Sequence, residues 1–234
     1  MGRPAAAVDA RFEGFADADG KFFRALKKHQ TRDWFQAHRL EYDDGWVTPM
    51  KCLLAELRER IDPLFVRHAL GDPKVFRIYR DVRFSKDKSP YKTHIGGYLP
   101  LAGAGRGPGQ PVPVYVQLGT ETFVGAGHYM MDPAQLARYR AAVLDDKTGK
   151  ALARIVAGLE KAKFRIVSFD ALKNVPRGVD PAHPRAELLK RKSLAVEFPT
   201  LPKRLVVSRA LIGWLVERIE RARPLVEWLA DETG

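Results

Sequence analysis

Apolar residues recur first at helical spacing. Phe12 and Phe15 precede a segment, residues 19–29, in which Phe22, Phe23 and Leu26 share a face. Thr31 is placed to cap a second helix carrying Trp34, Phe35, His38 and Tyr42. Thr48 before Pro49 reads as the N-cap and first turn of a third, with Leu53, Leu54, Leu57 and Ile61 as its apolar stripe and an end near Asp62-Pro63. The period then changes to two. Residues 75–84 alternate: Phe76, Ile78, Val82 and Phe84 point one way, and Arg77, Tyr79, Asp81 and Arg83 the other. Arg80 falls on the apolar side, which calls for a bulge or a buried anion or acid. Residues 91–99 form a second strand with Lys92, His94 and Tyr98 on one face. Residues 112–118 and 121–129 form a hairpin turning at Gly119-Thr120.

Asp132-Pro133 opens a helix to about residue 144, and Thr148 caps another to about residue 161. Residues 164–169 suggest a short strand, 172–184 turns, 187–190 one helical turn, and 194–198 a last strand. Ser208 caps a C-terminal helix broken at Pro224. Consecutive strands with short connections make an antiparallel sheet. The expected fold is therefore α+β: one domain over residues 1–234, a mainly antiparallel sheet flanked by N-terminal and C-terminal helices.

Composition adds limits. A chain of 234 residues, 45% of them hydrophobic, can bury a substantial core. No apolar run reaches the roughly 20 residues of a membrane span, and residues 1–7 lack the apolar stretch of a signal peptide. The single cysteine, Cys52, cannot form an intramolecular disulfide. A cytoplasmic protein without a membrane partner is expected. Residues 103–113 are a Gly- and Pro-rich connection.

Charge changes the picture more. Forty Lys/Arg against 28 Asp/Glu leave +12, and +9 of this lies in two windows. Residues 74–94 carry Lys74, Arg77, Arg80, Arg83, Lys86, Lys88 and Lys92 against Asp81 and Asp87. Residues 173–192 carry Lys173, Arg177, Arg185, Lys190, Arg191 and Lys192 against Asp180 and Glu187. Such concentration suits an anionic partner. Arginines on one strand face offer forked donors to phosphate or carboxylate. Asp81 could hold Arg77 and Arg83 in place, and Lys92 and His94 return on the next strand. An extended loop carrying Arg177, His183 and Lys192 could fold over the sheet onto the same site. Edge protection of a strand, or an Arg–Asp lattice that only braces the sheet, explains the first window without a ligand. An ordinary surface connection explains the second.

Other chemistry has thinner support. Neither a phosphate loop nor a dinucleotide cradle is present. Ser85 with Lys88, and Ser89 with Lys92, match S-x-x-K, but outside the helix start which that chemistry needs. His94, His128 and His183 match no zinc spacing, and Cys52 reads as a core residue. No metal or cofactor is expected.

The chain resembles a widespread family of microbial and fungal conserved hypothetical proteins whose domain has no known function. The resemblance rests on Phe12-x-Gly14-Phe15, Arg32-Asp33-Trp34-Phe35 with His38 and Tyr42, Pro49-Met50, and above all the run from Phe76 through Arg77-Ile78-Tyr79-Arg80-Asp81-Val82-Arg83-Phe84-Ser85-Lys86-Asp87-Lys88-Ser89-Pro90-Tyr91-Lys92-Thr93 to His94. Gly125-Ala126-Gly127, Asp132-Pro133, Pro176-Arg177-Gly178, His183-Pro184, Leu188-Leu189 and Lys192-Ser193 extend it over about residues 12–200. The family usually has an asparagine-rich turn where this chain has His29-Gln30-Thr31, and it differs again in the Gly/Pro connection. The resemblance implies that both basic windows belong to one signature and transfers no residue role.

The residues thus favour a site for a phosphorylated or other anionic small molecule, formed by Arg77, Arg80, Arg83, Lys86, Lys88, Lys92, Arg177, His183 and Lys192. If a reaction occurs there, His94 and Asp81 are the candidate catalytic groups, His94 as general acid or base. The alternative is a nucleic-acid-binding module without catalysis, with Tyr79, Tyr91 and Tyr98 stacking on bases. The blander reading is a scaffold braced by its arginines. Oligomeric state is left open.

Overall fold

A computed structural model describes residues 11–83, 85–102 and 109–234. The expectations for residues 1–7, Phe84 and most of the Gly/Pro connection lie outside the described residues. The chain is α+β, as its periodicity suggests. Six strands form one antiparallel sheet in the order β1-β2-β3-β4-β6-β5. They are β1 (Lys74–Val75), β2 (His94–Leu99), β3 (Val112–Gly119), β4 (Phe123–His128), β5 (Arg165–Val167) and β6 (Leu194–Glu197).

Helices cover one face. The N-terminal group is α1 (Lys21–Lys28), α2 (Arg32–Ala37), α3 (Arg39–Tyr42) and α4 (Thr48–Ile61). The Thr31 hydroxyl accepts from the Trp34 N–H and caps α2 as expected. Thr48 caps nothing: α3 runs into α4 through a π-helical turn, Asp43–Val47, so the chain enters Thr48 already helical. Asp132 opens α5 (Pro133–Leu144) with a reciprocal capping box to Gln135. Asp145, not Thr148, caps α6 (Asp146–Lys161), its carboxylate accepting from the Lys147 and Thr148 N–H groups. Two short helices, α7 (Ala186–Leu189) and α8 (Lys203–Val206), precede the long α9 (Ala210–Thr233).

Pro224 does not break α9. Its missing N–H costs one helical bond, whereas Ala222, Leu225, Val226, Trp228 and Leu229 are all buried, so packing outweighs the local defect. α4 and α9 lie on the sheet between them, α4 against β1 and β2, α9 against β3 and β4. Gly97 lets α4 approach: a Cβ there would sit 2.8 Å from Leu54 and 3.1 Å from Met50. Ile95, Leu99, Val114, Val116, Leu118, Val124, Leu194 and Val196 seal this face.

Residues 75–84 depart most from expectation. Only Lys74 and Val75 pair regularly, with Tyr98 and Gly97. The pairing resumes as one bridge, Tyr79 with Tyr91, two residues out of register. The Phe76 N–H still donates to Gly96 (2.8 Å), and the Lys92 N–H to Ile78 (2.8 Å). Phe76 keeps the register of β1 and lies on the open face, whereas Ile78 beyond it is buried, so the expected common face does not form.

An open aromatic sheet face as candidate functional site

Residues pointing away from the helices follow from the register. On β2 they are His94, Gly96 and Tyr98; on β3, Tyr115 and Gln117; on β4, Phe123, Gly125 and Gly127; on β6, Ala195 and Glu197; on β5, Arg165 and Val167. Side chains on this side form a line of rings. Phe76 lies 5.4 Å from Tyr98 and 6.2 Å from Tyr115. Tyr115 lies 6.0 Å from Phe123, Phe123 lies 6.2 Å from Phe169, and Phe169 lies 4.6 Å from Tyr129. The row crosses the sheet from beside β1 to the end of β5. Phe76, Tyr129 and Phe169 are 44%, 52% and 51% exposed.

Glycines make the row possible. A Cβ on Gly96 would sit 3.0 Å from the Tyr115 hydroxyl and 3.3 Å from the Phe76 ring, and one on Gly125 would sit 3.0 Å from the Phe123 ring. Rings therefore lie flat where other residues would lift them. The Tyr115 hydroxyl donates to Gln117 (2.9 Å), and burial pushes it up to about 12, so it stays protonated.

The first basic window borders one end of this row. The Lys92 ammonium sits 5.2 Å from the Phe76 ring centre and donates to the Arg77 carbonyl (3.0 Å). Burial, then the nearby Arg77 charge, pushes Lys92 down. His94 is half-buried beside it. Burial and then Lys92 push its imidazole below the usual histidine value. Lys74 pairs with Tyr98 on the same side. Lys74, Arg77 and Lys92 have no carboxylate partner among the described residues.

The loop beyond Tyr79 is different. Arg80 forms an ion pair with Asp87, which also accepts from the Ser89 N–H (2.9 Å) and hydroxyl (2.6 Å). These bonds hold the Asp87 carboxyl far below its usual range. Arg83 grips Asp81 through two bonds, 2.9 and 2.7 Å, which lower Asp81 to about 2. Asp81 thus holds one arginine, not two. Lys88 donates to the Val82 carbonyl (2.9 Å), and Lys86 is exposed. Tyr91 is buried against Phe35 (4.6 Å), which removes it from the expected stacking set; Tyr79 is half exposed, and Tyr98 is in the row.

The second window does not join the first. His94 starts β2 opposite Gly119, whereas Leu194, two residues after Lys192, pairs with the far end of β4 at His128. β3 and β4 lie between, and the two windows occupy opposite ends of the sheet. Lys192 is paired with Asp170 (2.9 Å), His183 accepts from the Arg185 N–H (3.1 Å), and Arg177 is exposed on its loop. The foot of this loop nevertheless borders the other end of the row, since Asp170 follows Phe169. No group of His, Cys, Asp or Glu among the described residues is placed to hold a metal ion.

A family model described as "Conserved hypothetical protein (DUF2461)" matches residues 20–228. The chain belongs to the DUF2461 family. The match takes in every ring of the row and both basic windows. No curated protein and no solved structure matches the chain.

Sequence reasoning named the cations and Tyr98 but missed Phe76, Tyr115, Phe123, Tyr129 and Phe169. The signal was there. Outward positions of an exposed sheet face are normally polar, yet these strands place Tyr, Phe and Gly at them.

Proposed function

We propose that this DUF2461 protein binds single-stranded nucleic acid across the open face of its sheet, without catalysis. The row of rings from Phe76 to Phe169 carries the reading. Every base has a π-face, so a row of partly exposed aromatics on a rigid sheet takes successive unstacked bases whatever their sequence. Lys74, Arg77 and Lys92 at one end supply cations for the backbone, in keeping with the net +12. A small anionic metabolite held by both windows draws less support. Arg80, Arg83 and Lys192 already hold carboxylates, and the windows lie at opposite ends of the sheet.

Fluorescence anisotropy with a labelled mixed-sequence oligonucleotide tests this. Single strands should bind more tightly than the matching duplex, with affinity falling as salt rises. Tyr129→Ala with Phe169→Ala should weaken binding by about 1–3 kcal/mol for each lost stacking partner. Absence of single-strand binding at low salt would refute the proposal. So would light scattering showing a dimer that Phe169→Glu disrupts, because the rings would then serve self-association.

A further inference from the structure

Beside Phe76 the open face turns a corner into a cleft of about 310 Å³. One wall is the edge segment with Val75, Phe76, Arg77, Ile78 and Tyr79. The other comes from the N-terminal helices with Phe35, Tyr42 and Val47. Part of that second wall is the π-helical turn Asp43–Val47, an irregularity that helices often keep at functional positions. The floor is apolar: Phe35, Tyr42 and Ile78 are buried. The rim carries Arg39, Asp43, Lys51 and Arg77. Arg39 and Asp43 neutralise each other at 3.2 Å. Lys51 and Arg77 have no carboxylate partner among the described residues, so the cleft mouth holds two uncompensated positive charges.

We infer that this cleft takes the terminal nucleotide of the bound strand, with Lys51 and Arg77 on a terminal phosphomonoester and the base against Phe35, Ile78 and Tyr79. The inference rests on the platform reading above. Three observations lead to it. The cleft opens at the end of the ring row, because Phe76 borders both. Its volume suits one nucleotide unit and not a continuing chain, at the small end of ligand cavities. Its two free cations match the charge of a terminal phosphate, −1.5 to −2 near neutral pH, where an internal phosphodiester has only −1. A free nucleoside monophosphate shares this chemistry, and the experiment separates the two.

The probes are one single-stranded oligonucleotide ending in 5′-hydroxyl, 5′-phosphate or 3′-phosphate, and a nucleoside 5′-monophosphate alone. One phosphorylated end should bind about tenfold more tightly than the hydroxyl end. Lys51→Ala should abolish that ratio, and Lys51→Arg should restore it. Phe169→Ala, at the other end of the row, should weaken both strands and leave the ratio intact. Equal affinity for all three ends overturns the inference while leaving the platform standing. A preference that survives Lys51→Ala also overturns it. Binding of the monophosphate with no binding of any oligonucleotide overturns both readings and leaves a mononucleotide site.

Discussion

On the helix side of the sheet, β2, β3 and β4 present Ile95, Leu99, Val114, Val116 and Val124, all within 4% of complete burial. On the other side the same strands present Tyr98, Tyr115 and Phe123 with glycines between them, and these rings are only partly buried. The open face mixes these rings with His94, Gln117, Arg165 and Glu197, and the two faces differ in shape. Branched aliphatic side chains interdigitate with α4 and α9 and exclude water, as a core requires. Rings lying flat over Gly96 and Gly125 make a surface that is smooth, rigid and half wet. Aliphatic chains lose rotamer freedom when they pack, whereas a ring with few torsions is already ordered before a partner arrives. The two faces thus separate what holds the molecule together from what stays partly open to solvent.

Several measurements would break or sharpen that contrast. The largest effect should come from Leu54→Ala, under Gly97 on the sealed side. It should cost about 2–5 kcal/mol in urea unfolding while leaving oligonucleotide affinity at low temperature unchanged. Next is His128, fully buried at the end of β4, whose imidazole burial pushes down to about 4. Between pH 6.5 and about 4 the unfolded chain binds the proton that the folded chain refuses, so stability falls as pH falls through this window. The loss should approach about 3 kcal/mol, and His128→Leu should flatten the profile. Phe169→Ala on the open side should lower oligonucleotide affinity by about 1–3 kcal/mol with a smaller change in the urea midpoint. A stability cost equal to that of Leu54→Ala would end the distinction between the faces. Gly96→Ala should act most gently, lifting Tyr115 and Phe76 and weakening strand binding a few-fold with the fold intact.

Much of this was legible beforehand. The α+β class, the antiparallel order, the Asp132 cap and the Gly119-Thr120 turn follow from local periodicity and turn chemistry, which neighbouring residues decide among themselves. Failures occurred where distant contacts decide. The alternation of 75–84 implied a full strand, but the slip after Phe76 arises from pairing with β2. Thr48-Pro49 has the chemistry of a helix start, yet the preceding helix runs on through the π turn. Pro224 would break an isolated helix, and burial of five neighbours overrides it. In the candidate site, Lys92, His94 and Tyr98 were correctly read as sharing a face. The union of the two basic windows was not, because strand order separates them and no local pattern encodes strand order. The rings look like ordinary core residues in the sequence, and only the strand register decides which way they face.

The basic windows at the two ends of the row have a further consequence for the molecule in solution. A protein with an uncovered ring surface risks stacking on its own copies. Two copies meeting face to face would bring Lys74, Arg77 and Lys92 of each against other cations, and the mutual repulsion keeps them dispersed. That protection depends on a long screening length and shrinks as the Debye length falls from about 10 Å at 0.1 M salt to about 3 Å at 1 M. Concentrated salt, which helps many proteins stay in solution, should here promote clumping.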